Sequence, residues 1–134
     1  MPKGATAAMT QMQEVTLFFP ATQEHTLVAR MTLSAVGALC GLDVDLIGDL
    51  RTAADECCEC LMHQPVVVTG LTLRIIHGGG RLSASFEGTW GTEATDCASL
   101  ELEITRGVLE TLMPQVDIRT DEHGVCALAF SMPV

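Results

Sequence analysis

The residues best suited to chemistry lie close together. Cys57, Cys58 and Cys60 form a cluster with a Cys-x-x-Cys spacing, and His63 follows three residues later. A structural zinc site needs four ligands on converging backbone, usually from two separated pairs. Only one pair is present here, on what reads as a single helix, so no metal site is expected. A redox Cys-x-x-Cys sits at a helix N-terminus, where the dipole lowers the thiol pKa. These thiols fall in the C-terminal half of their helix, and they read as reduced. Asp49, Thr52, Glu56, Cys60 and His63 share one flank of that helix, since residues three, four and seven apart lie on one face. A carboxylate on that flank can position a water or a metal-bound phosphate, and the same row also fits a solvated flank. Gly78, Gly79 and Gly80 look at first like a phosphate loop. Such loops open a helix and carry a lysine. This triplet links two strand patterns and no lysine follows, so it reads as a turn.

The positioning elements follow from periodicity. Residues 14–20 are β-rich and closed by Pro20, giving a first strand. Leu27, Val28, Met31, Ala35, Val36 and Leu39 recur at helical spacing, with Gly41 beyond, giving a helix over about 23–40. Leu46, Ile47, Leu50, Ala53, Ala54, Cys57, Cys58 and Leu61 form a continuous apolar stripe. It predicts a second helix over 43–63, capped by Asp43 or Asp45 and ended by Pro65. Residues 66–68 and 71–76 read as strand with a break or bulge at Gly70, and 81–87 as its return. Residues 88–96 read as a loop around Trp90, and a third helix is expected over about 97–113. Residues 116–120 and 125–132 pair as a hairpin across Asp121 to Gly124. The order β-α-α-β-β-α-β-β, with one-sided helices, predicts an α+β two-layer sandwich in a single domain over 14–134, after a flexible segment over 1–13.

At 134 residues the chain is long enough for one domain with a proper core. Apolar residues make up 48% and charged residues 18%, which excludes wholesale disorder. The formal charge of −10 argues against binding a phosphate backbone, and Lys3 is the single lysine. No run of eighteen apolar residues offers a membrane span, and residues 1–13 lack the apolar core of a signal peptide. A cytoplasmic protein is expected, binding neither nucleic acid nor membrane, with six reduced cysteines.

Residues 15–20, residues 27–41 and the run from Leu42 to His63 resemble the anti-sigma-factor serine/threonine kinases. These belong to the histidine-kinase-like ATPase superfamily, which has the Bergerat fold. The resemblance covers about residues 14–134, and it implies a mixed, mostly antiparallel sheet with helices on one face. In that family the second helix carries a Glu as general base, a Mg²⁺-binding Asn four residues later, and often a His four further on. Glu56 takes the Glu position, Cys60 the Asn position, and Gln64 the next, with His63 one residue early. A thiol is a poor ligand for hard Mg²⁺. The adenine-reading Asp, in an Asp-x-Gly-x-Gly motif, is replaced by the stretch from Glu87 to Gly91, so Glu87 and Gly91 stand as its displaced counterparts. The second glycine motif should lie near Ser99 to Leu102, where its glycines are missing and Glu101 and Glu103 repel phosphate. The resemblance therefore implies a degenerate, non-catalytic regulator of transcription or stress responses that holds no cofactor. Its partner would be a sigma factor or an anti-anti-sigma protein, and a homodimer is compatible with the family. The alternative is an active kinase that uses ATP and Mg²⁺, with Glu56 as base.

Overall fold

Asp43 fixes the start of the central helix. Its backbone is extended, and its carboxylate accepts the Leu46 N–H at 2.9 Å, satisfying one of the unpaired amides of the first turn. In a computed structural model, which describes residues 11–95 and 102–134, the chain runs β1 (Gln13–Pro20), a 3-10 turn (Gln23–His25), α1 (Thr26–Leu39), α2 (Val44–Met62), β2 (Val66–Gly78), β3 (Arg81–Ala94), α3 (Leu102–Leu112), β4 (Gln115–Asp121) and β5 (Gly124–Pro133).

The five strands form one sheet in the order β1-β2-β3-β5-β4. Every neighbouring pair is antiparallel. The expectation of a mixed sheet is thereby corrected. The class is α+β, with three α-helices against a five-stranded sheet among the described residues. Gly79 and Gly80 both have positive φ, the geometry of the two-residue turn that matches strand twist, and they join β2 to β3.

Alternation along the strands separates two faces. Leu71, Leu73 and Ile75 of β2, Leu82 and Phe86 of β3, and Leu128 and Phe130 of β5 are buried under the helices. Against them α2 lays Leu50, Ala53, Ala54, Cys57, Cys58 and Leu61. Many of these side chains are small, so the helix lies close to the sheet. α1 packs on one flank of α2, and α3 packs on the other flank and on β4. α1 therefore lies on the β1 side. Gly37 makes the α1–α2 contact close, because a Cβ there would stand 2.9 Å from Leu50 Cδ1.

Two local expectations need correction, and a third is decided. The first helix begins as a 3-10 turn and becomes α-helical only at Thr26. Of the two readings of Gly70 the bulge is the one observed: β2 is continuous through it, with register shifts between Val66 and Gly70. Residues 88–94, read as loop, are strand. Gly88 and Gly91 pass so close to Val68, Thr69 and Val67 that a Cβ would lie 3.0–3.2 Å from them. Glycine here permits close strand packing. Of the proposed third helix, 102–112 is helical, while 97–101 lies outside the described residues, as do residues 1–10 of the N-terminal segment.

Candidate functional site on the flank of the central helix

Glu56 lies on the flank of α2 that turns toward α3, and it is partly exposed. Burial, and after it the nearby charge of Glu59, raises its carboxyl pKa above the ordinary value. Cys60, one turn on, is 1% exposed, so it does not belong to a solvated row. Its thiol is pushed up to about 11, first by burial; a hydrogen bond with Thr105 of α3 works the other way. Thr105 is itself buried at 4% exposure. α3 thus covers a flank that helical periodicity alone leaves open to solvent. Cys57 and Cys58 point into the core, and burial raises both thiols, that of Cys58 to about 12.

Gln64 completes the arrangement. The side chain is buried, its Nε2 donates to the Cys60 carbonyl at 2.6 Å, and its Oε1 accepts the Val125 N–H at 2.8 Å. Its own carbonyl accepts the Thr95 hydroxyl. It ties the end of α2 to the β4–β5 hairpin. His63 turns the other way, with Nδ1 2.8 Å from the Glu59 carbonyl and 3.4 Å from the Glu59 carboxylate. Among the described residues no three His, Cys, Asp or Glu side chains converge as a metal site.

Glu87 and Gly91 do not join this group. Glu87 pairs with Thr72 and Ala127 on the sheet face away from the helices and is exposed. A sheet therefore separates it from Glu56. Gly91 packs against β2, beside Val67 and Thr69. Glu103 is exposed at the start of α3, and Glu101, with the rest of the expected second glycine motif up to Ser99, lies outside the described residues. The residues present therefore do not fit a Mg²⁺-nucleotide. At the positions where the resemblance would put hard oxygen ligands stand a thiol committed to Thr105 and an amide committed to two backbone groups.

A trough of about 320 Å³ lies on the opposite face of the sheet, which no helix among the described residues covers. Ser83, Ser85 and Ser131 floor it, Arg74 and Asp117 stand at its sides, and Arg81 donates to Ser131 Oγ at 2.8 Å nearby. Arg74 is held by Glu14 at 2.9 Å, and this contact lowers the Glu14 carboxyl pKa. Small side chains at alternate positions of β3 and β5 were its only signal in the sequence. No family model matches this chain, and no curated protein matches it either. Among the described residues no helix is long and apolar enough to cross a membrane.

Proposed function

We propose that the chain is a non-catalytic binding domain of the anti-sigma-factor kinase type, built on a Bergerat-like frame whose nucleotide chemistry has been lost. The observation that carries this reading is the state of Cys60 and Gln64. In the resembled family these positions serve a metal-nucleotide complex. Here both side chains are buried and bonded within the protein. The separation of Glu87 from Glu56 by the sheet points the same way. The function then lies in surfaces: the chain holds a protein partner, a sigma factor or a small anti-anti-sigma protein.

The raised Glu56 carboxyl favours one competing reading, an ATP-dependent serine/threonine kinase with Glu56 as general base. Titration calorimetry and thermal unfolding with millimolar ATP and Mg²⁺ separate the two. A ligand at a hundred times its dissociation constant stabilises by about 2.7 kcal/mol, a midpoint shift of several degrees. The binding-domain reading expects no heat and no shift, together with capture of a sigma factor or anti-anti-sigma protein from the native host. Nucleotide binding, with phosphoryl transfer abolished by Glu56→Gln, would reverse the conclusion.

A further inference from the structure

We infer that the trough on the open face of the sheet is a binding site for a short zwitterionic peptide, with its carboxylate at Arg74 and its ammonium at Asp117. The strand register builds the site. Arg74 of β2 stands opposite Ser85 of β3, Ser85 opposite Ala129 of β5, and Ala129 opposite Asp117 of β4. One row thus crosses four strands on a single face, with a cation at one end, a carboxylate at the other and two small side chains between. The next row runs from Ile76 through Ser83 and Ser131 to Gln115 and repeats the pattern. Larger side chains make the walls and small ones the floor. The concavity therefore follows from side-chain size, and its volume of about 320 Å³ falls at the lower end of the range for small-molecule sites.

Charge and hydrogen bonding select the ligand. Glu14 Oε1 holds Arg74 Nη2 at 2.9 Å, while its Oε2 accepts the Thr16 hydroxyl. This uses one of the five guanidinium N–H groups, so a fixed cation stands at the trough with donors left over. Arg81 binds Gln115 Oε1 and Ser131 Oγ at one end, and Ser131 donates to Gln115 Oε1 at 2.7 Å. The side chains of Ser83, Ser85 and Asp117, by contrast, make no hydrogen bond or ion pair among the described residues. A simple anion is disfavoured by Asp117 and by the formal charge of −10, and a simple cation by Arg74. A ligand carrying both charges satisfies both walls. Its length follows from the sheet. Three strand spacings of about 4.8 Å set Arg74 and Asp117 about 14 Å apart, with side chains standing roughly perpendicular to the strands. Two charged hydrogen bonds of about 2.8 Å leave about 9 Å. That is the span of two to three residues of extended chain at about 3.3–3.6 Å each. The Ser83 and Ser85 hydroxyls lie beneath such a chain, where they can pair with its peptide groups.

This inference does not rest on the nucleotide reading, because the sheet lies between the trough and Glu56. Heteronuclear NMR of the full chain, titrated with L-alanyl-L-alanine, should show shifts that saturate by about 10 mM and centre on the Ser83, Ser85 and Ala129 amides. N-acetyl-alanyl-alanine lacks the ammonium, and alanyl-alanine amide lacks the carboxylate. Each should bind at least about tenfold more weakly. Asp117→Asn and Arg74→Gln should weaken the free dipeptide to the same extent, with thermal unfolding confirming each fold. The blocked peptides meet the unaltered chain, so the test stands even if a variant fails to fold. The inference is overturned by shifts that do not saturate at about 10 mM, by shifts centred elsewhere, or by blocked peptides that bind as well as the free one. Binding of spermidine in place of the dipeptide also overturns it, because the trough would then read positive charge alone.

Discussion

Val125 donates its backbone N–H to Gln64 Oε1 at 2.8 Å across sixty-one residues of chain, and both residues are buried. The bond joins the C-terminal end of α2 to the first residues of β5, so one amide side chain holds two parts of the core in register. Gln64→Ala leaves the Val125 N–H and the Cys60 carbonyl without these partners and opens a void beneath Gly124. The expected cost is about 2–3 kcal/mol, read as a lower urea midpoint. Gln64→Glu keeps the acceptor, but an ionised carboxylate cannot donate to the Cys60 carbonyl. That variant should be unstable at neutral pH and recover partly as acid protonates it.

The buried thiols should make the fold sensitive to alkali. Burial raises the pKa of Cys60 to about 11 and of Cys58 to about 12, against about 8.5 in an unfolded chain. The folded state keeps these protons after the unfolded state has released them. The resulting stability is complete below about pH 8.5 and is lost as pH rises toward the folded values. The slope is up to about 1.4 kcal/mol per pH unit for each thiol. With no tyrosine and a single lysine, titration in that window is chiefly that of thiols, and Cys57, also raised by burial, adds to the fall. Urea midpoints from pH 8 to 10.5 should fall, and Cys58→Ala should flatten the fall.

Glu56→Gln should stabilise the protein slightly at neutral pH. The carboxyl is raised by burial and by Glu59, so the stability linked to its proton is present in acid and gone at pH 7. Because the carboxylate still reaches solvent, the gain is a few tenths of a kcal/mol. A thermal midpoint one or two degrees higher at pH 7, with the difference vanishing near pH 4, is the expected result. A lower midpoint at pH 7 would mean that Glu56 makes a favourable contact in its ionised form.

Trp90, the single tryptophan, reports on the β4–β5 turn. Its Nε1 donates to Asp121 Oδ2 at 3.0 Å, and its ring lies 5.4 Å from that of His123. Asp121 is held below the ordinary carboxyl value, first by the His123 backbone N–H and then by Trp90. The Asp121–indole bond should therefore survive from neutral pH down to about the pKa of a free Asp, near 3.9, and break as pH falls further. Fluorescence should show that acid transition, and Asp121→Ala should abolish it and shift the neutral emission.

The stripe of α2 was legible because helical period is a local property: Leu50, Ala53, Cys57 and Leu61 declare their face within three turns. The α+β class followed from the same local patterns. The burial of Cys60 was not legible, whichever way its flank was read, because the residue that covers it, Thr105, lies forty-five positions away on another helix. Strand 88–94 hid behind its glycines, whose purpose appears only against β2. Gln64, next to a helix-ending proline, gave no sign of burial at all. Local pattern reveals which face of an element is apolar, and it is silent on what a second layer does to the remaining face.

The sheet order also constrains when the parts can assemble. β1 is made before the other described strands, yet its sole strand partner among the described residues is β2, with Gln13 opposite His77 and Phe19 opposite Leu71. During synthesis β1 and α1 must wait, unpaired, until β2 has emerged, whereas β2–β3 and β4–β5 are hairpins that can close quickly. The segment left waiting carries the outermost strand of the sheet and the exposed apolar residues Leu27, Val28, Met31 and Leu39 of α1. The nascent chain therefore has its stickiest surface free for longest, and its yield in a cell should depend on how fast residues 66–78 follow.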